Sequence, residues 1–454
     1  MDQLPNLGRE DEMLSAMGMN SMDDLFSDIP LDIRIKSELP LREAQTEEQI
    51  IADAKELLGS NITSDTRPSF LGAGLYQNYI PALIPQIIGR GEFLTAYTPY
   101  QAEVSQGMLQ AMWEFQSMIC NLTGLDVSNV SVYDGSTAVA EALTCAVRIH
   151  NKKATQKNVV YVSELVPPHR MSVVHNYTQG GGLDIRKLPH NSDGTINLES
   201  VEDASGSCAV YVEQPNAYGI LDVGILELKE MIGENTALIV GVQPTSLGLV
   251  EAPGNYGADI VVGEGQPLGS FISGGGPVYG IFSCSKKYLR QMPGRIVGKS
   301  IDSNGNEAYC LTLSTREQHI RRHRATSNLC TNETLIALMG AMHMALLGPE
   351  GVEKLALRNF SSSQLTRNIL GEIDGLKFPH SELPHYNEFV VELPGTASDA
   401  LEYLDKNGLI GGFDLSRWYS GKENWLLVCS TDQNSKSDIE LLAQKLKEWI
   451  EVVG

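Results

Sequence analysis

The sequence predicts an α/β fold in which a large domain with a mainly parallel sheet precedes a smaller C-terminal α+β domain. Short β-branched runs alternate with helical patterns at residues 158–162, 208–212, 237–241 and 259–262. Continuous apolar strands joined by helical crossovers are typical of a parallel sheet that is covered on both faces. Later in the chain, helical patterns at residues 334–347, 351–373 and 437–452 flank strand patterns at 388–392 and 425–429. This segregation of helices and strands favours a second, α+β unit.

The length of 454 residues predicts more than one folded unit, because it exceeds what a single small core needs. We divide the chain into an N-terminal helical arm (residues 1–60), a large α/β domain (61–330) and a small C-terminal α+β domain (331–454). In the arm, Ser21 is suited to an N-cap in front of two aspartates, and residues 44–58 have a helical pattern. The arm could wrap a partner or fold onto its own domain, and the sequence supports both equally.

The composition excludes several classes of protein. A net charge of −22 argues against nucleic-acid binding, which needs basic patches. The longest apolar run, residues 335–348, is too short to span a bilayer, so it predicts a buried helix with His343 as a core histidine. The N-terminus lacks the basic and apolar regions of a signal peptide. Seven scattered cysteines without zinc-site spacing predict reduced thiols, no metal site and a cytoplasmic location.

The segment from residue 258 to 277 ends a hydrophobic strand, turns, and runs into a triple glycine. This layout resembles the segment that carries the cofactor lysine in pyridoxal-phosphate enzymes, and Gln266 stands where the lysine would be. An amide cannot form a Schiff base with an aldehyde, so we expect this chain not to hold the cofactor covalently. Gln243, at the end of the preceding strand, stands where an acid would keep the pyridine nitrogen protonated. Losing both groups indicates a degenerate cofactor site.

Three further segments have the composition of ligand-facing structure. Tyr97, Tyr100 and Gln101 precede a helix on a proline-containing turn, where hydroxyl and amide groups suit a small substrate. Alternatively, these residues form a turn that only packs on its own domain. The sequence Gly135-Ser136-Thr137 opens another helix and presents free backbone amides, which suit a phosphate or other anion. Taken by itself, this second segment is better explained as an ordinary N-cap.

The third segment is basic in an acidic chain. Residues 315–324 contain four arginines and two histidines, including Arg316 and His319. Arginine clusters can bind a carboxylate or phosphate with two parallel hydrogen bonds. A continuous helix would spread these groups over several faces, so some of them are expected to be surface charge. The tight turn at residues 292–298 either positions Arg295 or is only a turn.

In this order, the segments resemble the P-protein family of the glycine cleavage system. The resemblance covers essentially the whole chain, and it rests on residues 97–101, 133–138, 263–266, 274–277, 292–295 and 315–322. It implies the fold-type-I architecture of pyridoxal-phosphate enzymes, with active sites at the interface between two chains. The chain length and the absent lysine indicate the N-terminal-half subunit (subunit 1, or alpha) of the form that is split into two subunits.

The resemblance also implies partners and an activity. Two copies of this chain would assemble with two copies of subunit 2 (beta), which would carry the pyridoxal phosphate. The complex would decarboxylate glycine and transfer the aminomethyl group to the lipoyl arm of the H-protein. Tyr97, Tyr100 and Gln101 would face glycine or the cofactor across the interface. Arg316 and His319 would contact a carboxylate, a phosphate or the approaching lipoyl arm.

Two other functions remain open from the sequence. The chain could be a self-sufficient pyridoxal-phosphate enzyme, such as an amino-acid decarboxylase, that uses another lysine. Lys286 and Lys287 are poor candidates, because they lie beyond the strand that follows Gln266. The chain could instead be a scaffold without a catalytic contribution, which stabilises the partner or docks the H-protein.

Overall fold

A seven-stranded sheet forms the centre of the larger of two units, Met1–Ile62 and Thr63–Gly454. The fold was obtained as a computed structural model, which describes residues 5–35, 37–64, 66–153 and 158–453. Its strands are β1 (Val127–Ser128), β2 (Val159–Ser163), β3 (Asp184–Leu188), β4 (Ala209–Gln214), β5 (Ala237–Val242), β6 (Ile260–Glu264), β7 (Gly280–Cys284), β8 (Ile296–Ile301), β9 (Glu307–Thr312), β10 (Glu388–Glu392), β11 (Phe413–Asp414) and β12 (Trp425–Cys429). The helices are α1 (Glu10–Ala16), α2 (Glu47–Leu58), α3 (Leu83–Ile88), α4 (Gly91–Leu94), α5 (Gln106–Thr123), α6 (Gly135–Lys153), α7 (Pro168–Thr178), α8 (Leu228–Ile232), α9 (Gln318–Arg321), α10 (Thr334–Gly371), α11 (Ala397–Lys406) and α12 (Lys436–Val453).

The large sheet has the strand order β1-β7-β6-β5-β4-β2-β3. Strands β2 to β6 are parallel, whereas β7 is antiparallel to β6 and β1 is antiparallel to β7. Strand β5 is buried along its whole length, which explains its unbroken apolar run. Strands β4, β5 and β6 end at Gln214, Val242 and Glu264. Because parallel strands end at the same edge of a sheet, these three carboxyl ends lie close together. Ligands bind at this edge in open α/β sheets.

The smaller unit contains α1, a 3-10 turn at Met22–Phe26 and α2. Helix α2 begins at Glu47 and not at residue 44, because Thr46 is its N-cap. The Thr46 Oγ1 accepts from the Gln49 amide at 3.3 Å, and the Gln49 side chain accepts from the Thr46 amide at 3.0 Å. No residue of α2 is buried, although four large apolar side chains lie on it.

A second apolar core lies in the C-terminal part of the larger unit. The three-stranded sheet β10-β12-β11 packs with α11 and α12, with side chains such as Leu404, Leu426 and Leu442 between them. Phe70, from a segment far earlier in the chain, is fully buried in the same core. The segment that follows residue 62 therefore contributes to the C-terminal core and also lies beside the large sheet.

The range of α10 covers two helical segments, which correspond to the two helices predicted at residues 334–347 and 351–373. A break at Gly348, with φ 62° and ψ 178°, precedes Pro349 and marks where they meet. Within the described residues, α10 is the helix whose length and mean hydropathy would suffice for a membrane span. Its side chains Leu338 and Met344 lie in the core against α5, which is the pattern of a core helix.

Candidate functional site

A small cavity lies at the carboxyl ends of β4, β5 and β6. Its volume is about 40 Å³, and polar side chains from several elements line it. They are Tyr76, Arg170, Glu213, Gln243, Glu264 and Glu388. This is the place where the sequence predicts a degenerate cofactor site, and we refer to it as the closed cavity.

Gln266, at the predicted lysine position, is buried and has three hydrogen bonds. Its Oε1 accepts from the backbone amide of Tyr76 at 2.9 Å, and its Nε2 donates to the Tyr76 carbonyl at 3.0 Å. The same Nε2 donates to the Ser270 carbonyl at 2.8 Å. The amide therefore pairs with the main chain on both sides of Tyr76 as a neighbouring strand would. Gln266 therefore holds the segment of residues 72–76, which we call the Tyr76 segment, against the edge of the large sheet.

Gln243, at the predicted acid position, is the N-cap of the 3-10 turn Pro244–Gly248. Its Oε1 accepts from the Ser246 amide at 2.9 Å and from the Thr245 hydroxyl at 2.8 Å. Its Nε2 is buried at the cavity without a hydrogen-bond partner. Gln243 therefore offers the cavity a neutral donor, whereas a pyridine nitrogen is kept protonated by a carboxylate.

Two carboxylates of the chain itself cap the helix start at Gly135-Ser136-Thr137. The Gly135 amide donates to Oε2 of Glu264 at 3.0 Å, and the Thr137 amide donates to Oδ1 of Asp134 at 2.7 Å. The other oxygen of Glu264 accepts from the Gln266 amide at 3.1 Å. Two of the three amides that we expected to suit a phosphate, those of Gly135 and Thr137, are therefore satisfied internally. Burial raises the pKa of Glu264 to about 7.

The remaining charges around the cavity are also paired within the chain. Arg170 forms an ion pair with Glu213 at 2.7 Å, and the Tyr211 hydroxyl donates to the same carboxylate at 2.7 Å. Glu388 accepts from the Tyr76 hydroxyl at 2.7 Å and from the Ala73 amide at 2.6 Å. Burial raises the pKa of Glu388. The cavity thus has three carboxylates and one guanidinium, a balance that disfavours an added phosphate.

Pyridoxal phosphate does not fit this cavity. Pockets for small organic ligands measure about 300–1,000 Å³, whereas the closed cavity measures about 40 Å³. The lysine and the acid are replaced, the helix start is capped, and the Tyr76 segment occupies the adjoining space. Within the described residues, no group of three histidine, cysteine or acidic side chains is placed to hold a metal ion.

Tyr97, Tyr100 and His319 meet on an exposed surface of the larger unit. The Tyr97 hydroxyl lies 3.0 Å from the Thr331 hydroxyl, and the Tyr100 and His319 rings make an edge contact at 5.9 Å between centroids. The Arg295 guanidinium lies 5.7 Å from the centroid of the Tyr100 ring. Tyr97 is 75% exposed and Tyr100 is 60% exposed. We call these five residues the Tyr97–His319 surface.

The structure places Arg316 differently from these residues. Its guanidinium is buried and donates to three backbone carbonyls, those of Met292, Gly294 at 3.0 Å and Leu313 at 3.1 Å. Contact with a carboxylate or phosphate, as the resemblance implies, would require these bonds to be exchanged. In this arrangement Arg316 fixes the turn that carries Arg295. Gln101 is exposed and precedes the 3-10 turn Ala102–Val104.

The basic segment at residues 315–324 is not one continuous helix. It forms three short turns, with Arg322 at a φ of 54° between the second and the third. Arg321 and Arg324 are exposed. The breaks separate the buried Arg316 from the exposed arginines, which a continuous helix would not do.

Sequence reasoning missed most of the residues that close the cavity. Glu264 is part of the same Gly-Glu-Gly-Gln motif as Gln266, but the sequence led to a prediction for position 266 only. Tyr76, Arg170 and Glu388 have no motif of their own, because elements distant in sequence bring them to the cavity. A search for acids at predicted strand ends would have found Glu213 and Glu264.

Two lysines that could have replaced the missing one lie at the other end of β6. Lys229 and Lys287 both form ion pairs with Asp259, which precedes that strand, the former at 2.8 Å. Glu264 and the closed cavity lie at its carboxyl end. At about 3.3 Å per residue, the length of the strand separates these amines from the cavity.

The family model of the glycine cleavage system P-protein matches residues 5–446. The chain belongs to this family. The relationship predicted from the sequence segments is therefore confirmed, and it extends across both units of the chain.

Relatives and solved structures agree with the P-protein assignment. Probable glycine dehydrogenase (decarboxylating) subunit 1 of Chloroherpeton thalassium is 42% identical, over 96% of this chain and 97% of that protein. The protein of the same name from Thermococcus onnurineus is also 42% identical, over 98% of each chain. A crystal structure of glycine decarboxylase (P-protein), in inhibitor-bound form, matches with a TM-score of 0.86 at 36% identity. It covers 99% of this chain and 100% of that one.

More distant structures confirm the fold alone. The glutamate decarboxylase of Lactobacillus brevis matches with a TM-score of 0.67 at 11% identity, over 95% of this chain and 97% of that chain. A NifS-like protein matches with a TM-score of 0.61 at 12% identity. The predicted α/β architecture of fold-type-I pyridoxal-phosphate enzymes is confirmed. The P-protein fold is thus retained around a cavity that does not fit the cofactor of these enzymes.

Proposed function

We propose that this chain is the N-terminal-half subunit of a two-subunit P-protein and that it completes an active site whose cofactor is carried by subunit 2. The complex decarboxylates glycine and transfers the aminomethyl group to the lipoyl arm of the H-protein. Pyridoxal phosphate supplies the acceptor for the electrons that decarboxylation leaves behind. Two copies of each subunit form the complex, which works in the cytoplasm.

The closed cavity is the observation that carries this proposal. Its volume of about 40 Å³, the paired Gln266 and the capped start of α6 disfavour cofactor binding by this chain. A P-protein still needs the cofactor for its reaction, so a second chain must provide it. The naming of the relatives as subunit 1 supports the existence of such a partner.

The Tyr97–His319 surface is the part of this chain that we assign to the shared active site. Its phenol rings are exposed, and its hydroxyl and imidazole groups can donate hydrogen bonds. The buried Arg295 guanidinium supports the Tyr100 ring and donates to Oδ1 of Asn332 at 2.8 Å and to the Cys330 carbonyl at 3.0 Å. Covered by a partner, such a surface would exclude water and orient a small carboxylate such as glycine. Arg316 acts on this surface through the turn that carries Arg295, and Gln101 lies next to it in the chain.

Reconstitution of the complex tests the proposal. Each subunit is purified alone, the two are mixed with lipoylated H-protein, and the release of labelled carbon dioxide from glycine is measured. We expect turnover from the mixture and none from this chain alone. Turnover by this chain alone would overturn the assignment, as would a mixture that assembles but does not release carbon dioxide.

Substitutions in the Tyr97–His319 surface test its contribution. We expect Tyr97→Phe and Tyr100→Phe each to lower turnover about tenfold, because each removes one hydroxyl that positions the substrate, and tenfold corresponds to about 1.4 kcal/mol. Tyr79→Phe is the matched control, since Tyr79 is as exposed as Tyr100 and lies elsewhere. Assembly with the partner is measured by light scattering for every variant.

The same variants separate the proposed function from a scaffold. A scaffold would tolerate both phenylalanine substitutions with full turnover as long as the complex assembles. Reduced turnover with intact assembly identifies a contribution to the active site. A self-sufficient enzyme is tested separately, because the purified chain would then be yellow and would lose that colour with borohydride. We expect the purified chain to be colourless.

A further inference from the structure

Glu264 is the last residue of β6, and its side chain reaches the first turn of α6. Its two carboxylate oxygens accept from two different backbone amides, those of Gly135 at 3.0 Å and Gln266 at 3.1 Å. The free amides at a helix start and the positive end of the helix dipole attract an anion. In this chain the anion is a side chain, and it bridges the helix start to the position that the lysine would occupy.

The backbone packs too closely at this point to leave room for a second anion. A Cβ atom on Gly135 would lie 2.9 Å from the amide nitrogen of Glu264 and 3.0 Å from its Cα. Only glycine permits this approach. The end of β6 therefore rests directly on the start of α6, and a phosphate group could enter only by displacing the Glu264 carboxylate.

The Tyr76 segment closes the cavity from the opposite side. Gln266 pairs with both backbone groups of Tyr76, and Glu388 accepts from the Tyr76 hydroxyl and from the Ala73 amide. A Cβ atom on Gly72 would lie 2.3 Å from Oε1 of Glu388, so the segment packs tightly on that carboxylate. Glu388 belongs to β10, so both sheets hold the segment in place.

We propose that Glu264 is a built-in substitute for the cofactor's phosphate, and that this carboxylate, in addition to the loss of the lysine, keeps the cavity closed to pyridoxal phosphate. Restoring the lysine alone would leave the phosphate position filled by the Glu264 carboxyl group. Closure by Glu264 is a property of this chain by itself, and it holds whether or not the partner carries the cofactor.

Borohydride trapping in the assembled complex tests this substitution. The complex is built with Gln266→Lys, with Gln266→Lys combined with Glu264→Ala, or with Gln266→Lys combined with Glu264→Gln. Each is incubated with pyridoxal phosphate and reduced, and the label at position 266 is quantified by peptide mass spectrometry. We expect at least tenfold more label with Glu264→Ala than with Gln266→Lys alone. Glu264→Gln should give an intermediate value, because it removes the charge and keeps the volume.

Equal labelling of the single and the double variants would overturn the proposal. Labelling of the partner subunit in the same samples is a separate readout, so a failure of the proposed function is distinguishable from a failure of this inference. Phosphate binding provides a second measurement that does not need a new lysine. Inorganic phosphate titrated into the complex with Glu264→Ala should bind at least tenfold more tightly at this chain than in the wild type. A folded Glu264→Ala variant without any gain in phosphate binding would contradict the proposal.

Discussion

Single residues decide what the closed cavity can hold. Gln266 and Gln243 are amides where the reaction would need an amine and an acid, and both are engaged with the main chain. Glu264 is the residue whose chemistry departs most from an exposed side chain. Its burial raises its pKa to about 7, although the two backbone amides that donate to it act in the opposite direction. A carboxyl group with a raised pKa makes the free energy of unfolding depend on pH.

We expect the stability of the chain to fall between about pH 5 and pH 7 because of Glu264. A glutamate in the unfolded chain has a pKa of about 4.3, so the folded state binds the proton more tightly. The stabilisation is complete below the unfolded pKa and is lost as the pH rises through about 7. Urea unfolding of the wild type and of Glu264→Gln at pH 5 and pH 8 measures this. The wild type should lose on the order of 2 kcal/mol more than the variant.

The pH dependence has a direct control. Glu353→Gln changes an exposed glutamate of α10 and should leave the pH dependence of the wild type unchanged. If Glu264→Gln and wild type lose the same stability between pH 5 and pH 8, then Glu264 does not titrate as described.

Arg316 gives a second prediction at the scale of one residue. Arg316→Ala removes three side-chain hydrogen bonds to backbone carbonyls and leaves those of Met292 and Gly294 without this donor, so we expect a loss of about 2–4 kcal/mol in the free energy of unfolding. Arg321→Ala, in the same basic segment but exposed, should change it by less than about 0.5 kcal/mol. Denaturant unfolding of both variants checks this. Similar values for the two would mean that the buried hydrogen bonds of Arg316 contribute little.

At the scale of elements, helix α2 has an apolar face that is not buried within its own unit. Ile50, Ile51, Leu57 and Leu58 are all exposed, and none of the helix is buried. A helix with such a face is normally stabilised by packing that face against another element. We therefore expect α2 to contact the partner subunit, which is the first of the two roles that the sequence left open for the arm.

Substitutions on the two faces of α2 test this contact. Ile51→Asp and Leu58→Asp should weaken association with the partner at least tenfold, because each places a charge in an apolar interface. Glu56→Ala, on the opposite face, should leave association unchanged. Calorimetric titration of one subunit into the other measures the affinity. Unchanged binding by both aspartate variants would mean that the arm folds onto its own chain.

At the scale of the whole molecule, the sequence predicted the fold better than the site. The buried parallel strands β4, β5 and β6 were predictable, because continuous apolar runs have few alternatives. The edge strand β3 was missed, because its sequence Asp-Ile-Arg-Lys-Leu is mostly exposed and polar. The β8–β9 hairpin was missed as well. Its strands have exposed ends and do not belong to the large sheet.

The site was less predictable because it depends on contacts between distant segments. The sequence identified Gln266 and Gln243 from their places in motifs, but it contained no signal for the pairing of Gln266 with Tyr76, which lies 190 residues earlier. The exposed aromatic loop was predictable from its composition, and its association with Arg295 and His319 was not. The burial of Arg316 likewise depends on a turn 22 residues earlier in the chain.

The pairing of Gln266 with the Tyr76 segment has a consequence for the history of this chain. A reversal of Gln266 to lysine would break the bonds to that segment and place an amine next to a filled phosphate position, with stability lost and no cofactor gained. Opening the position first, by removing Glu264, would take the carboxylate partner from the backbone amides of Gly135 and Gln266 without restoring the lysine. Each of these two substitutions is therefore unfavourable by itself, and only both together would open the cavity to a cofactor.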